Sequence, residues 1–171
     1  RRVLFRSPRL FILRGLWLVL FFLAPCAPER LTAQQLLLDS LKRSWEIARS
    51  KPDDSAKVML MNDLSEKYRL YANDLPKAQE YAQMALKTSR SIGFSRGTGD
   101  ALHRLSLLYF VQARYDTSRL YSASALTVRT NIHDTVGMGR SLNALGLTYQ
   151  YQGNYGKAPE YYFRALPLQE A

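Results

Sequence analysis

Few side chains in this sequence could carry chemistry, and their spacing gives little support to any of it. There are two histidines, His103 and His133, and one cysteine, Cys26. A single cysteine near the start excludes a disulfide framework, a cysteine zinc site and a thiol nucleophile for the rest of the chain. The histidines lie 30 residues apart with no repeated acidic or nucleophilic neighbour. A multi-histidine metal cluster is therefore excluded, and a solvated or ligand-contacting role is favoured over a catalytic one for each. The serines are scattered and define no triad. Gly93, Gly97 and Gly99 could suggest a phosphate cradle, but Val136-Gly137-Met138-Gly139 repeats the pattern further on, as expected for punctuation between structural units. The reading is no catalytic residue, no cofactor and no metal.

Such a chain must work through surfaces, and composition shows which part builds them. Of 171 residues, 47% are hydrophobic and 22% charged, which suits one packed domain or a short repeat array. The net charge of +10 is concentrated at the start, where Arg1, Arg2, Arg6, Arg9, Arg14 and Arg30 face only Glu29. From Gln34 onward the balance is +5, without a basic stripe, so nucleic acid is not expected as a partner of this segment. Arg1–Ser7 resembles a translated sequencing adapter, the alternative being the basic start of a leader that lacks its initiator. Gly15–Ala24 is a short apolar run behind Arg9 and Arg14, followed by Pro25, Pro28 and the small residue Ala33. This order predicts a secretory signal peptide over 1–33, with cleavage after Ala33. The expected location is the periplasm or cell envelope; a retained anchor in the inner membrane is the alternative, although the run is short for a span.

The rest of the chain repeats. Ala85-Leu86, Ala125-Leu126 and Ala165-Leu166 are 40 residues apart, as are Ile92 and Ile132, while Tyr68, Tyr109 and Tyr149 are 41 and 40 apart. Leu142, Leu145 and Tyr149 fall on one helical stripe, and Tyr155, Ala158, Tyr162 and Ala165 on a second. Leu102, Leu105, Tyr109 and then Tyr115, Ser118, Ser122, Ala125 form the middle copy; Met61, Leu64, Tyr68 and then Ala78, Ala82, Ala85 form the first. Each copy is predicted to be a helical hairpin. Ser65, Ser106 and Gly146 in the first helices, with Ala78, Ser118 and Ala158 in the second, mark where the two backbones cross closely. One extra residue in the first turn explains the spacing of 41. The predicted units are 55–94, 95–134 and 135–171. Residues 34–54 form a half-repeat helix that covers the first hairpin, with Leu38, Leu41, Trp45 and Ala48 as its inner stripe. Lys51-Pro52-Asp53-Asp54-Ser55 stops that helix and offers an N-cap to the next. Pro167, well inside the last predicted helix, is expected to kink or end it.

These residues resemble the tetratricopeptide repeat, whose signature is a bulky residue, Leu-Gly, Tyr, then Ala and an aromatic. Leu142, Leu145-Gly146, Tyr149, Ala158, Tyr162 and Ala165 carry the resemblance most fully. The family's closing proline is absent, with Thr130 and Glu170 in its place, and the 40-residue period resembles a long variant of the repeat. The resemblance implies an all-α fold, an α-solenoid wound as a right-handed superhelix. It also implies a concave groove lined by first-helix residues beside the core stripe. By position these are Asn62, Glu66, Arg69, His103, Leu107, Phe110, Asn143, Leu147 and Gln150. No lysines accompany Asn62 and Asn143, so the family's clamp for a peptide carboxylate is not assigned.

The expected function is protein–protein interaction: a scaffold or sensory input that binds a peptide or protein in the groove. Exported arrays of this kind resemble the input regions of sensor histidine kinases and membrane-anchored regulators, so the chain is read as truncated, with an anchor and an output domain downstream. The alternatives are a free periplasmic adaptor in envelope assembly and the non-catalytic part of a larger enzyme such as a cyclase. Self-association through an uncapped last repeat is a further expectation.

Overall fold

The computed structural model describes residues 26–169, with side chains from 33 to 168. The adapter-like start and the apolar run Gly15–Ala24 lie outside the described residues. The chain divides into two units, Arg1–Leu37 and Leu38–Ala171. The described backbone of the first is helical from Cys26, the start of α1 (Cys26–Ala48). The helix read as beginning at Gln34 therefore begins earlier and includes Ala33. Pro28 sits in its first turn, where a missing amide hydrogen costs no helical bond.

The second unit holds the rest of α1 and six more helices: α2 (Ser55–Lys67), α3 (Leu75–Ser91), α4 (Ser95–Val111), α5 (Tyr115–Asn131), α6 (Thr135–Tyr151) and α7 (Lys157–Gln169). No strand occurs among the described residues, and no helix among them is long and apolar enough to cross a membrane. Helices pack in chain order as hairpins α2–α3, α4–α5 and α6–α7, a helical solenoid. Their starts are marked by short polar side chains. Asp54, Asp74 and Asp134 accept from the amides of Lys57, Lys77 and Gly137 at 2.7, 3.0 and 2.9 Å, as N-caps do. Their ends turn through left-handed residues at equivalent places: Asn73, Ala113 and Gly153 within hairpins, Gly93 and His133 between them. His133 thus has a backbone role, as the counterpart of Gly93.

The extra residue of the first copy has a structural solution. In the second and third hairpins the amides of Arg114 and Asn154 bond the carbonyls of Tyr109 and Tyr149, five residues back. In the first, Asp74 bonds Tyr68, six residues back, and Tyr68–Ala72 form a π-helical turn. One added residue widens one turn and leaves the helices on either side in register.

Within each hairpin the backbones approach closely at small residues. Ser65 Oγ donates to the Ala78 carbonyl at 2.7 Å, and Ser122 Oγ to Ser106 Oγ at 2.9 Å. A Cβ added to Gly146 would lie 2.7 Å from the Tyr162 ring. The hydroxyl partner of Ser106 is therefore Ser122, one turn beyond the expected Ser118, which faces Thr148 of the next hairpin at 3.3 Å. Beyond the crossing, stacked tyrosines fill the space. Tyr68 lies on Tyr81, Tyr109 on Tyr121 and Tyr149 on Tyr161, with centroids 5.2–5.5 Å apart and planes within 15°. Trp45 of α1 meets Tyr81 edge-on at 5.6 Å, and Leu38 joins the core of the first hairpin. Two expectations change in the last hairpin. Tyr155 precedes α7 and is exposed, because that helix starts only at Lys157, where Asn154 caps the amide. Pro167 does not end α7, which continues to Gln169.

The junctions between hairpins use one position in two ways. At the first, Thr98 Oγ1 donates to Ser89 Oγ at 2.9 Å. At the second, the residue aligned with Ser89 is Arg129, fully buried. Its Nη1 donates to the Gly137 carbonyl and Ser141 Oγ, both at 2.9 Å, and its Nη2 to Asp100 at 2.7 Å. Nε faces Asp134 at 3.7 Å. A Cβ added to Gly99 would come within 3.1 Å of the Arg129 side chain, and one on Gly137 within 2.7 Å. These glycines make room for a guanidinium that joins α4, α5 and α6.

Ala125 is fully buried while Ala123, on the same helix, is exposed. Ala125→Leu should lower stability by about 1–3 kcal/mol through overpacking, and Ala123→Leu by less than about 0.5 kcal/mol; equal urea midpoints for the two would refute this packing. Arg129→Ala should cost about 3 kcal/mol, since it strands buried partners of the guanidinium. A thermal midpoint within a degree or two of the parent would show that the network is not needed.

Candidate functional site

The first helices α2, α4 and α6 touch one another in succession as well as their own partners, which makes them the inner wall of the array. The expected groove residues lie on this wall but do not form one uniform strip. His103, Leu107, Asn143 and Leu147 come together with Ala144 and Arg140 around a cavity of about 210 Å³. This is the apolar hollow. Beside it, a polar hollow of about 510 Å³ is lined by residues that include Asn62, Asp63, Asp100, Arg96, Arg104 and Arg140. Arg140 borders both.

Of the remaining expected residues, Asn62, Glu66 and Phe110 are tied up in packing. Asn62 is buried, and its Nδ2 donates to the Gly97 carbonyl at 3.4 Å. Glu66 accepts from Arg104 at 2.7 Å; burial alone would raise its carboxyl, but Arg104 and Lys67 hold it below the usual value. Phe110 packs on Tyr115 at 5.6 Å and edge-on to Tyr151 of the next hairpin at 4.9 Å. It closes the space between hairpins. Gln150 is exposed and accepts from the Tyr162 hydroxyl at 2.8 Å. Arg69 is half-buried and makes no ion pair among the described residues.

His103, expected to be solvated or ligand-contacting, is half-buried at the edge of the apolar hollow. Its Nδ1 is buried without a hydrogen-bond partner. Burial, and then Arg129, Arg104, Arg140 and Arg69, push its pKa down to about 3. The ring is neutral at physiological pH, set amid arginines from α4, α5, α6 and the π turn.

Arg96, Arg104 and Arg140 were missed by the sequence reading, as were Asp63 and Asp100. Their aligned positions hold different residues in the other repeats: Met59, Asp100 and Arg140 are equivalent, as are Asp63, Arg104 and Ala144. Periodicity marks what repeats, so a charge present once leaves no periodic trace. Among the described residues no group of three His, Cys, Asp or Glu side chains could hold a metal.

Consecutive helical hairpins with an inner wall of first helices define a helical repeat array. Residues 97–171, a little under half of the chain, match the family model of the tetratricopeptide repeat. No curated protein matches. Among solved structures, the chain is similar to BtubC (BKLC) from P. vanneervenii, at 18% identity and a TM-score of 0.71, with 81% of this chain and 57% of that one covered. It is also similar to aspartyl phosphate phosphatase F from Bacillus subtilis, at 18% identity and a TM-score of 0.70, covering 81% and 38%. A kinesin light chain from Podosopora anserina with nearly identical TPR-like repeats aligns at 13% identity and a TM-score of 0.62, covering 92% and 84%. At these identities the likeness is one of fold. The chain spans 57% and 38% of the first two structures.

Unfolded, the His103 imidazole protonates near pH 6.5; folded, it stays neutral down to about pH 3. Between these values the unfolded state binds the extra proton, so stability falls as pH drops, by at most about 1.4 kcal/mol per unit. His103→Gln, which cannot protonate, should lose several degrees less in Tm between pH 7 and pH 4.5 than the parent. Identical losses would mean that His103 already takes up its proton in the folded state.

Proposed function

We propose that the array recognises a protein or peptide partner along its inner wall, as the input or scaffold part of an exported protein. The tetratricopeptide fold is a protein–protein interaction scaffold, generally non-catalytic, and its domains bind proteins or peptides. The observation that carries the reading to this wall is the pair of adjoining hollows over α4 and α6, one apolar and one charged, sharing Arg140. Shape and chemistry of this kind suit an extended or helical segment laid across successive repeats. The apolar run Gly15–Ala24 behind Arg9 and Arg14 supports export, and with it a role outside the cytoplasm, as a sensory input or an envelope adaptor.

Leu147 is half-buried at the apolar hollow, whereas Ala123 is exposed on a second helix. Leu147→Gln in the full chain should reduce capture of a mass-spectrometrically identified native partner at least tenfold, and Ala123→Ser should leave it unchanged. Full capture by Leu147→Gln would move the binding face elsewhere.

A further inference from the structure

Arginines gather at the inner wall from α4, α6 and the π turn, with one more behind it on α5. Arg69, Arg96 and Arg140 make no ion pair among the described residues. Arg104 gives Nη1 to Glu66 and keeps its buried Nε without a partner. Arg129, behind the wall, neutralises Asp100 from the buried side. The carboxylates that face the polar hollow are thus Asp63 and an Asp100 already compensated. Positive charge is in excess there.

A second observation points to a ligand on the same face. Four buried side-chain polar atoms among the described residues lack a hydrogen-bond partner: Asn62 Oδ1, His103 Nδ1, Arg104 Nε and Arg129 Nε. The first three belong to residues that line the two hollows. Buried polar atoms are nearly always bonded; here Arg104 Nε is a donor that an acid's oxygen would meet, and Asn62 Oδ1 an acceptor that a bound segment's backbone N–H would meet.

We infer that the inner wall binds an internal acidic segment of a partner protein: a side-chain carboxylate lies against Arg96, Arg104 and Arg140, and a neighbouring apolar side chain enters the Leu107–Leu147 hollow. This rests on the proposed groove and names the chemistry it selects. A guanidinium and a carboxylate match as paired N–H donors and oxygens, and two or three arginines discriminate an acid from its amide strongly. Arg140 borders both hollows, so the acid and the apolar residue stand one or two positions apart on an extended chain, which advances about 3.3 Å per residue. The recognised element is an acidic–aliphatic pair within a chain, not a free terminus.

The test uses the full chain and a fluorescein-labelled peptide with blocked ends, Gly-Ser-Asp-Leu-Asp-Leu-Ser-Gly, followed by anisotropy at moderate salt. Measurable affinity is expected, with at least a tenfold loss when both Asp are changed to Asn and a similar loss when both Leu are changed to Ala. Arg140 is exposed and makes no ion pair among the described residues, so Arg140→Gln should weaken the parent peptide about tenfold with Tm within about two degrees. Arg164→Gln, an exposed charge on α7, should change neither. Equal binding of the Asp and Asn peptides that Leu147→Gln abolishes would overturn the acidic specificity and leave the groove in place. No binding of any peptide, or tighter binding of a single-stranded oligonucleotide or of anionic phospholipid vesicles, would overturn the inference outright.

Discussion

The close approach of paired helices constrains everything else in this structure. Where two backbones cross, small side chains face each other or, at Gly146, a bare backbone faces the Tyr162 ring, and Ala78, Ala82, Ala85, Ala125 and Ala165 are all but fully buried. Such side chains bury little area each, but their packing lets the backbones themselves exclude water. Helices that cross must also diverge, and the stacked tyrosine pairs occupy the widening space. Each first-helix tyrosine also has a cation near its ring: Lys77 over Tyr68, Arg114 over Tyr109 and Lys157 over Tyr149, at 4.8–5.5 Å. Small residues at the crossing, an aromatic stack beyond it and a cation outside form one device used three times.

The junctions between hairpins are less uniform. A buried guanidinium is costly unless its donors are met. Arg129 is tolerated because a backbone carbonyl, a hydroxyl and two carboxylates surround it, and because Gly99 and Gly137 leave room for its stem. The first junction places Ser89 at the same position and satisfies it with the Thr98 hydroxyl and the Leu86 carbonyl. An apolar pair could fill either space; the directional bonds of Arg129 instead set the register of α4, α5 and α6. Asp100 belongs to that network and to the polar hollow, so the groove and the junction share a carboxylate.

The inner wall is where the repeat rule is silent. Core positions recur because every hairpin needs them, whereas the residues one place along the helix face outward and are free to differ. Asp63 and Arg104 hold one such position in turn, and Met59, Asp100 and Arg140 another. Differences of this kind turn identical hairpins into a surface with a direction and a charge.

Much of the fold could be read from spacing alone. The interval of 40 between Ala85, Ala125 and Ala165, the small residues at 65, 106 and 146, and the one-residue excess of the first copy are local facts. They specify hairpins, their register and an irregular first turn. Local facts also marked the start of α2 within Asp53-Asp54-Ser55, since a capping side chain bonds an amide three residues away. Other features needed the folded chain. The sequence could order His103, Phe110 and Gln150 along a helix face. It could not say that the His103 ring would be buried among arginines from three other elements, or that Phe110 would close on Tyr151. Nor could it show that Arg129 would find Asp100, 29 residues earlier, rather than water. Periodic patterns record what each hairpin requires of itself. Contacts between hairpins, and the electrostatics of a wall assembled from several of them, exist only once distant segments are packed side by side.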